Sequence, residues 1–104
     1  MATVPERPVL VLPEHWDERA AFETPLRGYL EGAVVQLADG ARYSVYFYDP
    51  VRLGQDLADH VRLGRPFFAE PNLIVVPEVT EAAMQAAVEK LAGEGYFQHL
   101  KSLA

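Results

Sequence analysis

Cysteine is absent from these 104 residues. That removes disulfide frameworks, thiol nucleophiles, iron–sulfur clusters and cysteine-type zinc sites together, and it fits a reducing compartment, so a cytoplasmic location is the expectation. Long apolar runs are missing too. No stretch approaches the length that spans a bilayer, and the start, Met1-Ala2-Thr3-Val4-Pro5-Glu6-Arg7, has neither the basic beginning nor the apolar core of a leader peptide, so no membrane contact is expected. Basic residues are sparse: nine Lys and Arg against fifteen Asp and Glu leave a net charge of −6. DNA- and RNA-binding domains of this size neutralise phosphates with a basic surface, which these scattered cations do not supply, so nucleic acid is not expected as a partner. Serine and threonine are few, and neither a nucleophile elbow nor a phosphate-binding glycine loop occurs.

What is present is a globular composition, half apolar and about a quarter charged. The length suits one domain spanning residues 1–104, able to bury a core without metal or disulfides. The clearest local signal is Leu37-Ala38-Asp39-Gly40-Ala41-Arg42, a turn between two runs rich in β-branched and aromatic residues. A two-residue loop at Asp39-Gly40 would put Gln36 on the same face as Phe47. A three-residue loop with Gly40 left-handed pairs Val35 with Tyr43 and Ala33 with Val45, and it sorts the faces: Ala33, Val35, Leu37, Tyr43, Val45 and Phe47 inward, Val34, Gln36, Arg42, Ser44, Tyr46 and Tyr48 outward. The second register is the expectation.

Around this hairpin, Val9 to Leu12 between Pro8 and Pro13 reads as an edge strand, and residues 14–27 as an irregular stretch broken at Thr24-Pro25, with at most a turn of helix around His15 to Ala21. Asp49-Pro50 opens a helix with Leu53, Leu57 and Val61 at four-residue spacing, ended by Gly64. After a connector with Pro66, Phe67, Phe68 and Pro71, Leu73 to Val76 reads as a strand buried on both faces, because it shows no alternation, and parallel to the Ala41 strand. Thr80 caps a second helix, Glu81 to Ala92, and Tyr96 to Leu103 continues as a helical turn or a short strand. The fold class is therefore α+β: a mixed sheet of about four strands in β-ββ-α-β-α order with both helices packed on one face. Such an arrangement leaves Val34, Tyr46, Tyr48 and part of the Leu73 strand as an outer apolar patch, to be covered by the Trp16, Phe22 and Leu26 segment or by another chain.

Three constellations are candidates for chemistry. Asp56 and His60, four apart on a helix with Asp59 adjacent, have the spacing of a carboxylate–imidazole metal pair or an oriented base, but Arg52–Asp56 and Asp59–Arg62 ion pairs on a solvated face explain the same residues. Glu14-His15-Trp16-Asp17-Glu18 resembles a functional loop and equally a loop anchored by one buried tryptophan. His99 has no partner identifiable from sequence. The third is the outer hairpin face, Val34, Gln36, Arg42, Tyr46 and Tyr48, where tyrosine and arginine are the side chains enriched at protein interfaces. The function expected is a non-catalytic protein-binding module of small, acidic, bacterial type, acting on a protein partner or as a homo-oligomer, with no cofactor, catalytic residue or metal. Size and charge suggest by analogy alone the antitoxins and immunity proteins that neutralise a partner. The alternatives are a small acid–base or metal-assisted enzyme using His60 and Asp56 or His15, and a structural subunit of a larger assembly.

Overall fold

The computed structural model describes residues 7–103. The elements run β1 (Val9–Val11), α1 (Glu18–Arg27), β2 (Tyr29–Gln36), β3 (Arg42–Tyr48), α2 (Pro50–Arg62), β4 (Leu73–Val75) and α3 (Glu81–Gly93), followed by a single 3-10 turn over Tyr96–His99. The four strands form one mixed sheet in the order β1-β2-β3-β4, antiparallel except for the β3–β4 pair, so the fold is α+β.

Gly40 sets the hairpin register. It sits at φ 87°, its N–H donates to the Leu37 carbonyl at 2.9 Å, and Leu37 N–H donates to Ala41 O at 2.8 Å, closing a three-residue loop. Val35 then faces Tyr43 and Ala33 faces Val45, as the cleaner sorting of the faces requires. A second irregularity was not visible in the pattern. Between Leu30 and Ala33 the strand carries one extra residue, with Gly32 at φ 85°, so Leu30 and Ala33 both turn inward while Tyr29 is paired with Tyr48 on the outer side. Regular alternation would have aimed Glu31 at the core, and the bulge leaves it exposed instead.

The core lies on the inner face. Ala33, Val35, Val45, Phe47, Val79, Met84 and Val88 are sealed from solvent, joined by Leu30, Ile74, Val76 and Phe97. Thr80 accepts from Ala83 N–H at 3.1 Å to start α3, whose small residues Ala83 and Ala87 let it lie close on the sheet. Phe97 stacks on Tyr43 at 5.4 Å. Trp16 packs against this same core and donates its indole N–H to Glu81 at 2.8 Å, so the anchor reading of that loop is the one realised.

Four features depart from expectation. Residues 18–27 form a helix despite Pro25: Asp17 accepts from Ala20 N–H at 2.8 Å as N-cap, and left-handed Gly28 donates back to Thr24 O at 2.9 Å as C-cap. Pro25 forfeits one bond to the Ala21 carbonyl, and Ala21 is exposed, where water can take the carbonyl's lone pairs. The expected cover of the outer face by this segment does not occur, since Trp16 is on the core side and Phe22 and Leu26 are 72% and 74% exposed. The third departure is β4, which is buried on one side only: Ile74 points inward, whereas Val75 is 48% exposed. Finally, α2 adds nothing to the core, because α3, Phe97 and Trp16 already fill the inner face. It begins as expected, with Asp49 accepting from Arg52 N–H at 2.7 Å, and ends at Gly64 (φ 91°), but it stands off the body. The radius of gyration, 15.0 Å, accordingly exceeds the roughly 13 Å of a compact chain this long.

Two left-handed glycines, Gly40 in the hairpin and Gly28 between α1 and β2, make a test of this geometry. A Cβ at Gly40 would meet nothing within 4 Å, so Gly40→Ala should cost only the backbone strain, about 1 kcal/mol. At Gly28 a Cβ would lie 2.7 Å from an Asp49 carboxylate oxygen and 2.9 Å from Arg52 Cβ, so Gly28→Ala should cost clearly more, read as the difference between the two denaturant midpoints. Equal losses would contradict the packing of α1's end against α2's start.

Candidate functional site

The outer face follows from the pairing. Val9 lies opposite Gln36, Val11 opposite Val34, Val34 opposite Ser44, Gln36 opposite Arg42, Tyr46 beside Leu73 and Tyr48 beside Val75, and cross-strand partners share a face. Among the described residues, the helical elements that pack on the sheet's core do so on the opposite face. Val34, Ser44, Tyr46 and Leu73 are half-buried, and Val9, Gln36, Arg42 and Val75 are exposed. The edge of β3 beyond the short β4 is closed by polar contacts: Asn72, itself left-handed at φ 59°, gives its amide to Ser44 O at 2.8 Å, and Leu103 N–H reaches Arg42 O at 2.7 Å.

Of the five residues expected at an interface, four stand together on this surface and one does not. Tyr48 is only 8% exposed, because the connector after α2 folds back and sets the Phe68 ring edge-on to it at 5.4 Å. Tyr29 lies on its other side at 5.9 Å. Tyr48 is therefore part of an internal joint between sheet and α2, and Val34, Gln36, Arg42 and Tyr46 are the accessible set. Leu73 and Val75 of β4 extend the same face as expected; what sequence reasoning missed is the contribution of β1, whose Val9 and Val11 extend it on the other side and whose alternation was too brief to reveal it.

The α2 joint holds Asp56 and His60. Asp56 accepts from Arg52 Nε at 3.0 Å, and Arg52 lies over the Tyr29 ring at 4.6 Å. Asp59 pairs with Arg62 at 2.8 Å. His60 rests edge-on against Phe68 at 5.1 Å, and its Nδ1 is buried with no hydrogen-bond partner, so the carboxylate and the imidazole are spent on separate neighbours. Among the described residues no group of three His, Asp or Glu side chains converges as metal ligands. His15 is exposed at the mouth of a cleft of about 200 Å3 between α1 and the sheet, floored by Trp16, Thr24 and Leu30 with Arg19, Arg27, Asp17 and Glu23 at its rim. That volume is below the few hundred Å3 typical of small-molecule sites, and the opposed charges offset one another.

Burial pushes the Tyr48 phenol up to about 12, helped by the Asp56 carboxylate as acceptor and as charge, with the Arg52 guanidinium pulling the other way. The folded chain thus keeps a proton that the unfolded chain releases near 10, so this stabilisation is complete below pH 10 and is lost as pH rises toward 12. Melting temperatures across that window should fall more steeply for the native protein than for Tyr48→Phe. Parallel slopes would show that Tyr48 does not carry the joint's alkaline sensitivity.

Comparison with protein-family models, with curated proteins and with solved structures finds no match to this chain.

Proposed function

We propose that this domain is a non-catalytic protein-binding module whose contact surface is the open face of its sheet. The observation that carries the reading is the apolar strip Val9, Val11, Val34, Tyr46, Leu73 and Val75, continuous across all four strands and, among the described residues, outside the core that α3 covers. A sheet normally buries its apolar sides, and a contiguous apolar surface left to water marks a place where another macromolecule sits. Its rim is polar, with Gln36, Arg42 and Ser44, the pattern of an interface with an apolar middle.

The test is a substitution in the middle of that strip. Val34→Asp should weaken association, with itself or with a protein captured from the native host, by about tenfold or more while leaving the melting temperature near that of the native protein, since Val34 lies outside the core. Ala86→Glu, on the exposed side of α3, is the control and should change neither. Unaltered association in Val34→Asp would remove the open face as the binding surface.

A further inference from the structure

Resting on that reading, we infer that the occupant of the open face is a second copy of this chain, packed face to face about a two-fold axis running across the strands. The face is self-complementary in charge. At the bulge Glu31 and Gly32 together stand opposite Tyr46, and with Leu30 turned inward the exposed Glu31 carboxylate belongs to the outer side. Four residues away along β3, at the far end of the face, Arg42 is exposed opposite Gln36. Neither forms an ion pair among the described residues. The face therefore carries an anion at one end, a cation at the other and an apolar strip between. A two-fold axis across the strands reverses the strand direction of the second copy and sets each Arg42 over the other copy's Glu31, with the valines and Tyr46 of both copies interdigitating, as in aligned sheet-on-sheet packing.

Area points the same way. Strands of three, eight, seven and three residues, about 4.8 Å apart, offer roughly 330 Å2 in plan, under half of what each partner contributes to a stable interface. The shortfall matches α2. It stands at the Tyr29–Tyr48 end of this face, held by Arg52 over Tyr29, and Leu57, Val61 and Leu63 on it remain exposed. After the two-fold rotation, the Val9–Gln36 end of each sheet comes against the other copy's α2, so a helix that lacks a sheet and a sheet that lacks a helix complete one another.

Sedimentation equilibrium of the purified full chain tests this directly. The native protein should form a dimer. Arg42→Glu and Glu31→Arg should each weaken it by at least about tenfold, because each sets like charges opposite one another twice per dimer. An equimolar mixture of the two variants should recover dimer of mixed composition, as should the double exchange Arg42→Glu/Glu31→Arg by itself. A dimer indifferent to both reversals, or one that the mixture does not restore, would overturn the proposed packing. A native protein that stays monomeric would exclude the second copy. If Val34→Asp still abolished capture of a different protein, the binding-module reading would stand with that protein as occupant; if the face proved protected in the monomer, both readings would fall.

Discussion

Two left-handed glycines decide which side of this sheet is core. Gly40 closes the hairpin in three residues and so pairs Val35 with Tyr43, and Gly32 absorbs one extra residue so that Leu30 rejoins Ala33 and Val35 on the inner face. A one-residue slip at either point would send valines outward and Glu31 or Gln36 inward, a change of environment for every side chain on the strand. Everything else is arranged around the inner face so defined: α3 on top of it, Phe97 and Trp16 at its margins, and the indole N–H tied to Glu81 where α3 begins.

The supply of covering elements then explains the other face. With α3, the 3-10 turn and Trp16 committed to the core, α1 and α2 are the helices left; α1 keeps Phe22 and Leu26 exposed, and α2 has its polar side engaged at the end of the sheet through Arg52, Asp56 and His60. It covers Tyr48 and leaves the rest of the strip bare. The bare strip and the exposed stripe on α2 are thus one fact seen twice, a chain with more apolar surface than a single copy can bury.

The sequence was most legible where one residue type has one conformational use. Asp-Gly between apolar runs gave the hairpin, Asp49-Pro50 and Thr80 gave two helix starts, and Gly64 gave a helix end, each confirmed by its hydrogen bond or its φ. It was least legible where two rules compete. Thr24-Pro25 argued for a break, yet Asp17, Glu18, Arg27 and Gly28 form a complete set of helix-end signals, and one lost backbone bond at an exposed turn is cheaper than abandoning them. The run Leu73-Ile74-Val75-Val76 shows no alternation, and only the position of β4 at the sheet's edge reveals that Val75 is uncovered. Tyr48 read as an outer residue, which it is by register, but the Phe68 that hides it lies twenty positions on and could be placed only by the fold. The candidate face was therefore found in its centre and on β4, and missed along β1 and at the covered Tyr48.

Adjacent residues of β2, Val34 and Val35, face opposite environments, the open surface and the sealed core. Because the chain has no cysteine, a single thiol introduced at either position reports on that position alone. In the folded monomer, kept dissociated by Arg42→Glu in both variants, Val34→Cys should be modified by a thiol reagent orders of magnitude faster than Val35→Cys, which should react only through unfolding. Equal protection of both, or faster reaction at position 35, would contradict the assignment of the faces and everything built on it.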